Sequence, residues 1–285
     1  MIPAMDPAMD PGPSPSSASA LARERFDAHA GSRLRGALLA PLTLVWALLA
    51  SLIVAIIAVI APRWFKRRGW FLVNLWGRLP LWWHGIRVEL HGREQLQAPG
   101  PRIVLFNHVS VLDLFVLSAI SPPNVVVVYK EEFKRVPGIG RALRALNCIP
   151  VDRSDPERSR ESMTAAGERL RETGGLLLIA PEGTRSRKGG LQAFKLGAFH
   201  MAIQTGAPLV PLIMRGIEQV SPIGSVLIRP GRIRVDLLPP IDPTGWTPET
   251  VRDHAQAVRT VFLEYLDPAI PCRTPAAVLP DKGAR

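Results

Sequence analysis

The sequence predicts an α/β domain that follows an N-terminal helical segment suited to anchoring in a membrane. Residues 37–61 form an apolar run without one charged side chain, and short apolar runs alternate with amphipathic segments from Gly85 onward. The 285-residue chain is 47% hydrophobic, so it can bury a sizeable core. These three observations exclude intrinsic disorder as a description of the whole chain.

The net charge of +11 indicates an anionic partner, which can be a nucleic acid or an anionic membrane surface. The uncharged run at 37–61 favours the membrane, because a soluble nucleic-acid-binding protein has no use for it. The two cysteines, Cys148 and Cys272, are too few and too far apart for a disulfide framework or a Cys-based zinc site. We therefore expect a reducing compartment.

The N-terminal residues 1–36 are expected to form a disordered, basic tail that leads into the anchor, because residues 1–20 show no apolar periodicity. The apolar run starts too far along the chain, and is too long, for a secretory signal peptide. As a helix it reaches about 37 Å, enough to cross a hydrocarbon core of about 30 Å. The helix need not cross the bilayer, because a re-entrant helix fits the same residues.

The anchor is expected to extend to residue 84, because a basic and Trp-rich segment, Arg63–Trp83, follows the apolar run. Its cations, and the four of the seven Trp that lie within residues 70–83, suit the headgroup region, although a buried core helix is an alternative. The heavier positive charge on this side predicts that the catalytic domain is cytoplasmic. A composition rich in Ala, Arg and Pro indicates a GC-rich bacterial genome, and hence the bacterial cytoplasmic membrane.

The catalytic domain is predicted over residues 85–267, with a loosely ordered tail at 268–285. Its candidate strands are Ile86–Leu90, Ile103–Phe106, Val125–Tyr129, Cys148–Val151, Leu176–Ala180, Val210–Met214, and a pair, Val226–Ile228 and Ile233–Leu237, around Pro230-Gly231. Helices are predicted at Glu157–Glu172, at Phe194–Gln204 and after Thr247, with Pro248 as the first helical residue. Pro211 inside its strand indicates an edge or a bulge.

The segment from Asn107 to Asp113 carries the first candidate chemistry, directly after an apolar strand. If His108 lies in the turn and Asp113 in the first helical turn, the carboxylate can fix the imidazole tautomer and leave the other nitrogen as a base. Ser110 is a candidate local cap. A His and an Asp five residues apart also suit a structural histidine, and this pattern alone does not decide between the two.

The segment from Pro181 to Ser186 also follows an apolar strand. Gly183 allows close approach of a ligand, Thr184 offers a hydroxyl, and Arg185 can bind a phosphate with two parallel hydrogen bonds. A charged surface turn is the alternative. Further cations adjoin apolar runs and are either solvated or in contact with a ligand: Lys130, Arg153 and Lys195.

Four blocks occur in order along the chain: NHVSVLD, YKEEFKRVPGIGRALRALNCIPVDR, PEGTRS with FKLGAFHMA, and PLVPLIM. This set resembles the pattern of the 1-acyl-sn-glycerol-3-phosphate acyltransferases, a family of lysophospholipid acyltransferases, over roughly residues 85–240. The resemblance implies a glycerolphosphate-acyltransferase-like mixed sheet flanked by helices and a catalytic dyad of His108 and Asp113. It implies substrate binding by Arg153, Glu182, Gly183, Thr184 and Arg185, to which we add Lys130 and Lys195. Val111 departs from the large aromatic that many members carry there.

The resemblance implies acyl transfer from acyl-CoA or acyl carrier protein to the sn-2 hydroxyl of lysophosphatidic acid, which gives phosphatidic acid. We expect no metal or other cofactor and no nucleic-acid partner; lysophosphatidic acid and an anionic membrane surface are the expected partners. Three alternatives stay open: another acceptor, such as a lysolipid with an amino-acid headgroup, a membrane-anchored hydrolase, and a non-enzymatic basic protein. The hydrolase would lack a G-x-S-x-G nucleophile elbow.

Overall fold

A computed structural model describes residues 15–266 except residues 124, 137–138, 147, 153, 186–189, 223–224 and 226. Side chains are described from residue 35 onward, apart from those of residues 66 and 156. The predicted C-terminal tail at 268–285 therefore lies outside the described residues, as does the first part of the N-terminal tail.

A seven-stranded sheet forms the centre of the molecule. Its strands are β1 (Ile86–His91), β2 (Arg102–Phe106), β3 (Val125–Lys130), β4 (Ile149–Val151), β5 (Leu176–Ile179), β6 (Leu209–Arg215) and β7 (Gly231–Leu237). Their order across the sheet is β1-β7-β6-β2-β5-β3-β4. The β6–β7 pair is antiparallel and the other pairs are parallel. The sheet is therefore mixed, which confirms the predicted fold class.

Helices cover both faces of this sheet. They are α1 (Pro15–Ile60), α2 (Pro62–Trp83), α3 (Glu94–Gln97), α4 (Leu112–Ile120), α5 (Ile139–Ala145), α6 (Pro156–Thr173), α7 (Gly197–Thr205), α8 (Ile217–Val220) and α9 (Val251–Leu266), with a 3₁₀ turn at Glu131–Arg135. Helices α2, α4 and α8 share one buried apolar cluster with the sheet, and α6, α7 and α9 share the other. The domain is thus a three-layer α/β/α structure.

Strand β2 lies in the middle of the sheet, and every one of its residues is buried. Its side chains alternate between the two apolar layers: Ile103 and Leu105 pack under α6, α7 and α9, whereas Val104 and Phe106 pack under α4. The apolar run Ile103–Phe106 is typical of a parallel sheet covered on both faces. The turn that follows β2 is consequently held by a rigid support.

Helix α1 begins at Pro15, so residues 15–36 belong to a helix rather than to the predicted tail. Within its described part, Arg35–Ile60 is long and apolar enough to cross a membrane. One face of this stretch nevertheless packs on the protein at both ends: Gly36 lies against the Ile228 backbone, and Val54 packs in a cluster with Ala142 of α5. The helix therefore lies along the domain, with its other face exposed.

Helix α2 packs on the end of α4 and on α1 more closely than the headgroup prediction implied. The indole N–H groups of Trp70, Trp76 and Trp83 donate to Ser121 O, Ala47 O and Thr43 Oγ1, respectively. Trp64 and Trp82 differ from them, with 46% and 75% of their surface exposed. Indole donors satisfied inside the protein favour the core-helix alternative for most of this segment.

Three predictions about individual elements were wrong. Residues 227 and 228 are not in a strand, and β7 pairs with β1 and β6 instead of forming a hairpin around Pro230. Strand β6 is central despite Pro211, because the missing N–H lies just beyond the last residue pair of the β6–β7 ladder, where the Pro211 carbonyl accepts from Leu238 N. Helix α9 starts at Val251, after a turn, and not at Pro248.

Candidate active site

The candidate site lies at one edge of the sheet. Strands β2, β5, β3 and β4 are mutually parallel, so their carboxyl ends meet at this edge. The NHVSVLD block follows β2, and the PEGTRS block follows β5, the immediate neighbour of β2. Neighbouring strands are about 4.8 Å apart, so the first and third blocks come together although they are far apart in sequence.

The imidazole of His108 and the carboxylate of Asp113 form a hydrogen-bonded pair. His108 Nδ1 lies 2.7 Å from Asp113 Oδ2. His108 occupies the turn after β2 and Asp113 the first turn of α4, the arrangement that the spacing of five required. Asp113 is fully buried, whereas 19% of the His108 side chain is exposed. The buried carboxylate thus holds the ring through Nδ1, and Nε2 is the ring nitrogen that this contact does not engage.

The backbone of this turn is held by the same carboxylate. Val109 N and Ser110 N donate to Asp113 Oδ2 at 2.7 and 3.0 Å. The Ser110 hydroxyl accepts from Leu112 N at 3.2 Å, in agreement with a local cap, and lies 2.7 Å from Ser221 Oγ. Asp113 therefore orders the loop that carries His108 as well as the imidazole itself.

Asn107 fixes the start of the turn to the neighbouring strand β6. Its side-chain amide donates to Met214 O at 2.9 Å, and its side-chain oxygen accepts from Met214 N at 2.8 Å. These two bonds take the place of backbone hydrogen bonds between β2 and β6 at the point where β2 ends. An amide side chain is suited to this because it carries both a donor and an acceptor.

Glu182 joins the first and third blocks. Its Oε1 accepts from His108 N and its Oε2 from Gln192 N, both at 2.9 Å. Only 5% of the residue is exposed, and this burial raises the pKa of the carboxyl above its usual value. Both carboxylate oxygens thus face backbone amides of the protein, which favours a positioning role over the predicted contact with substrate.

Gly183 and Lys195 are in close contact beside this carboxylate. Gly183 has a φ of +73°, and a Cβ built on it would lie 2.6 to 2.9 Å from the last three side-chain atoms of Lys195, including Nζ. The Lys195 amide also donates to Pro181 O at 2.7 Å. The left-handed backbone favours a glycine here, and the end of the flexible Lys195 side chain occupies the space that a Cβ would take.

The other residues predicted to bind substrate are exposed or lie outside the described residues. Thr184 and Arg185 are exposed in the turn after Gly183. Lys130 ends β3, two strand positions from β2, and forms an exposed ion pair with Glu132 at 2.7 Å. Arg153 lies outside the described residues. The roles of these residues, like those of the dyad, stay predictions.

Two further contacts at the site could not be predicted from the sequence. Arg259 of α9 donates to Leu191 O and Gln192 O at 2.7 and 2.9 Å, which fixes the end of the loop that starts at Gly183. Ser221, just after α8, meets Ser110. Both join residues more than 60 positions apart, so that no local pattern could have indicated them.

Comparisons with known proteins show to which family the chain belongs. An acyltransferase family model matches residues 87–215, from β1 to the end of β6. The 1-acyl-sn-glycerol-3-phosphate acyltransferase of Limnanthes douglasii is 34% identical over 199 residues, covering 68% of this chain and 70% of that protein. The chain belongs to the 1-acyl-sn-glycerol-3-phosphate acyltransferase family. The alpha form of this acyltransferase from Mus musculus is 32% identical over 186 residues, covering 64% of this chain and 65% of the mouse protein.

A solved structure of a similar acyltransferase supports the fold. The crystal structure of the 1-acyl-sn-glycerophosphate acyltransferase PlsC from Thermotoga maritima matches this family member with a TM-score of 0.67 at 23% identity. The match covers 81% of this chain and 94% of the Thermotoga chain. The family and the fold class predicted from the four blocks are thus confirmed.

Proposed function

We propose that this protein transfers an acyl chain from acyl-CoA or acyl carrier protein to the sn-2 hydroxyl of lysophosphatidic acid, giving phosphatidic acid. The names of the relatives support the acceptor class. One observation carries the proposal: His108 is held through Nδ1 by a buried carboxylate, with Nε2 open, beside a glycine turn covered by a lysine. A base and a cation at one sheet edge suit a reaction between a hydroxyl and a thioester on a phosphorylated acceptor.

In this mechanism His108 Nε2 takes the proton of the acceptor hydroxyl while the oxygen forms a bond to the thioester carbonyl carbon. Asp113 stabilises the imidazolium that results. The carbon–sulfur bond breaks when the tetrahedral intermediate collapses, and the proton passes from Nε2 to the sulfur, which leaves as a thiol. No residue of the chain needs to be acylated.

The backbone amides of residues 108–110 position the turn, and they do not stabilise the oxyanion of the tetrahedral intermediate. Those of Val109 and Ser110 donate to Asp113, and that of His108 donates to Glu182. Because each amide has one hydrogen, none of the three can also stabilise the oxyanion of the tetrahedral intermediate. We therefore assign that task to groups outside residues 108–110.

The acceptor phosphate is assigned to the cations at the neighbouring strand end. Lys195 lies over Gly183, and Arg185 is exposed two residues further along the same turn. A phosphomonoester offers three acceptor oxygens and close to two negative charges, which match an arginine fork and a lysine ammonium. Glu182 holds this turn to His108 and so keeps the phosphate site and the base at a fixed separation.

In this proposal the membrane supplies the lysolipid acceptor, and helix α1 binds the membrane. The exposed face of α1 is lined by large apolar side chains, among them Leu38, Leu49, Ile53, Ile56 and Ile60. Because the opposite face packs on the domain along its length, we propose that α1 lies against one leaflet instead of projecting across both. The positive-inside rule assigns that leaflet to the cytoplasmic side.

The test is a thiol-release assay with acyl-CoA or acyl-acyl carrier protein, with and without lysophosphatidic acid. Release that depends on lysophosphatidic acid supports the proposal; release without it indicates a hydrolase, and no release indicates a binding protein. His108→Ala should lower the rate by about 10² to 10⁴. His91→Ala, at an exposed histidine that ends β1, is the matched control and should keep wild-type activity.

Arg185→Lys separates phosphate binding from catalysis. It keeps the charge but loses the planar fork, so the KM for lysophosphatidic acid should rise while the KM for the acyl donor stays unchanged. Steady-state kinetics with both substrates varied measure this. An unchanged acceptor KM, or faster turnover of lysophosphatidylcholine than of lysophosphatidic acid by the wild type, would contradict the proposed phosphate site.

A further inference from the structure

We infer that two copies of this chain pair through the outer edges of their β1 strands. β1 is the terminal strand of the sheet, and its one strand partner within the described residues is β7. In the dimer the two β1 strands run antiparallel about a two-fold axis, with Val88 of one copy opposite Val88 of the other. The inference concerns assembly and does not depend on the proposed acyl transfer.

The first observation is that the outer side of β1 is open. Val88 and Leu90 pack against the apolar cluster beneath α2 and α4, but they are only half-buried. Their register partners on β7, Ile233 and Val235, are fully buried in the same cluster. Side chains on one face of adjacent strands differ in this way when one strand has neighbours on both sides and the other strand has not. An open edge offers unpaired backbone N–H and C=O groups to another strand.

The second observation identifies the backbone groups on this edge. Gly231 N donates to Gly85 O at 3.3 Å, so the polar groups of Gly85 face β7. Because these groups alternate between the two sides of a strand, those of Ile86, Val88 and Leu90 face away from β7. Within the described part of the chain, no hydrogen bond to another element uses them. Outward groups at every second residue suit an antiparallel partner strand.

The third observation is an arginine without a carboxylate partner. Arg87 and Arg232 are register partners in the β1–β7 pair, and both are exposed. Arg232 forms an ion pair with Glu89 at 3.2 Å, whereas Arg87 forms none within the described residues. Like charges opposite each other destabilise a sheet, so an acidic group on the outer side of Arg87 would be stabilising. The Glu89 side chain is 37% exposed and can accept from a second guanidinium.

The register of the dimer follows from these observations. Two antiparallel registers bring outward-facing residues opposite one another over most of β1. One pairs residues 87–91 with each other, which places Glu89 opposite Glu89 and Arg87 opposite His91, so the charges are unmatched. The other pairs residues 86–90 and places Arg87 of each copy opposite Glu89 of the other. These two positions form a pair without hydrogen bonds to each other, in which the Cα atoms are only about 4.5 Å apart.

A second copy of this chain is therefore the occupant of the edge. An acidic partner of another kind would match Arg87 but would supply no cation opposite Glu89. The two-fold axis of an antiparallel strand pair is perpendicular to the sheet, so both copies keep α1, α2 and α4 on the same side. On that side Val88 and Leu90 gain apolar neighbours. The exposed faces of both α1 helices can then bind one leaflet, in line with the proposed membrane placement.

The experiment measures energy transfer between donor-labelled and acceptor-labelled copies of the full-length protein, reconstituted into phosphatidylglycerol vesicles. Vesicles are used because one strand pair is a small interface and the leaflet concentrates both copies. Wild type should show energy transfer that unlabelled wild type competes away. Arg87→Glu alone and Glu89→Arg alone should each lower the association constant about tenfold or more, because both ion pairs become like-charge pairs.

A mixture of the two single variants tests the register. When Arg87→Glu carries the donor and Glu89→Arg the acceptor, an acid faces a base at both positions, and energy transfer should return to the wild-type level. The controls are Arg160→Glu and Glu161→Arg, at exposed residues of α6, which packs at the β3–β4 end of the sheet. These two variants should associate like wild type.

A disulfide tests the same register without a change of charge. Val88→Cys places two thiols at the two-fold axis, with Cα atoms about 5.5 Å apart, which suits a disulfide. Leu90→Cys is the matched control, because its two thiols would lie about 14 Å apart along the strands. Oxidation should therefore link the copies of Val88→Cys more than those of Leu90→Cys.

Wild type without energy transfer overturns the inference, and so does a mixture of the single variants that does not recover. An equal loss of association in the α6 variants assigns the effect to total charge and also overturns it, as does equal linkage of the two cysteine variants. Circular dichroism of each variant shows that the fold is kept. Because association is measured without substrates, its failure is distinguishable from failure of the proposed acyltransferase reaction.

Discussion

Glu182 offers the sharpest test at the scale of a single residue. In Glu182→Gln one side-chain oxygen becomes an NH₂ group, which would face an N–H of either His108 or Gln192 instead of accepting from it. A lost hydrogen bond to a buried charged group is worth about 1.5 to 3 kcal/mol. We expect kcat to fall about tenfold to a hundredfold, with the KM for lysophosphatidic acid nearly unchanged, in steady-state kinetics.

The matched control is Glu168→Gln, at an exposed glutamate of α6. A raised acceptor KM with unchanged kcat in Glu182→Gln would instead place this carboxylate on the substrate. The pH profile gives a second readout. Burial raises the pKa of Glu182, so as pH falls its carboxyl is protonated earlier than an ordinary glutamate and loses one acceptor. In the wild type we expect this protonation to contribute to the loss of activity at low pH. We expect that contribution to be absent from Glu182→Gln.

The residues of the site differed in how far the sequence revealed them. The spacing of His108 and Asp113 was sufficient to predict that their side chains can meet, because a turn followed by a first helical turn brings such a pair together. Glu182 was found but its partners were not, since both are backbone amides and every residue has one. The contact between Lys195 and Gly183 depends on how the loop between them folds back, which no periodicity records.

At the scale of elements, the contact between α2 and α4 should control both stability and activity. A Cβ at Gly77 would lie 2.4 Å from Phe115 O and 2.6 Å from Ala119 N, so Gly77→Ala must push the two helices apart. Such overpacking costs about 1 to 3 kcal/mol. Because α4 carries Asp113, we expect kcat to fall together with the melting temperature.

The control for this prediction is Gly197→Ala in α7, where a Cβ would lie 3.5 Å from a flexible methionine side chain, Met163. That variant should melt at or above the wild-type temperature, because alanine favours a helix by about 1 kcal/mol over glycine. Equal melting temperatures for Gly77→Ala and wild type would show that α2 and α4 can separate without strain.

The junction between α1 and the sheet should be sensitive to acid. His84 Nε2 is hydrogen-bonded to Thr43 Oγ1 at 2.8 Å, and burial, with a smaller effect of Arg35, lowers the pKa of His84 from 6.5 to about 4. The unfolded chain then binds the proton more readily than the folded one. Stability should therefore fall as pH drops below 6.5, by about 2 kcal/mol between pH 7 and pH 5.

Thermal melting of wild type and His84→Gln at several pH values checks this. The glutamine can still bond to Thr43 but does not titrate, so this contribution should vanish and the melting temperature of the variant should change less over the same range. The same slope in both proteins would assign the acid sensitivity to other groups.

Element types were easier to predict than their neighbours. The segment Glu157–Glu172 formed a helix because its polar face, its N-cap Asp155 and the left-handed Gly174 all act locally. Strand β7 was recognised but was paired wrongly, because Pro230-Gly231 looked like a hairpin turn while its actual partner β1 lies about 145 residues earlier. The Trp-rich helix was predicted to lie among the headgroups. A helix that buries one face on protein and a helix that buries one face in lipid have the same sequence pattern.

For the whole molecule, the boundary between anchor and domain follows packing and not the change in composition at Gly85. A chain shortened to begin at Gly85 loses α2, whose Leu81 is buried in the same core as Phe115. It also loses Asn74, which donates to two carbonyls at the end of α4, Ser118 and Ser121. We expect this chain to aggregate and to show no cooperative melting transition.

A chain shortened to begin at Ala61 keeps α2 and is the matched comparison. It should melt cooperatively in neutral detergent and acylate detergent-dispersed lysophosphatidic acid, yet bind vesicles weakly because the exposed face of α1 is gone. Circular dichroism, thiol release and vesicle flotation measure these three properties. If both shortened chains melted alike, α2 would belong to the anchor alone.

The pairing of β1 with β7 has a consequence for the order of events during synthesis. Ile86 and its partner Gly231 are joined only after most of the chain has left the ribosome. Until then β1 has no strand partner and both of its edges are open, while the apolar helix α1 has long been exposed. A nascent chain that reaches the bilayer at this stage would already be attached before its sheet is complete. Membrane capture would then precede completion of the enzyme, and the growing sheet would be kept from pairing edge to edge with other chains.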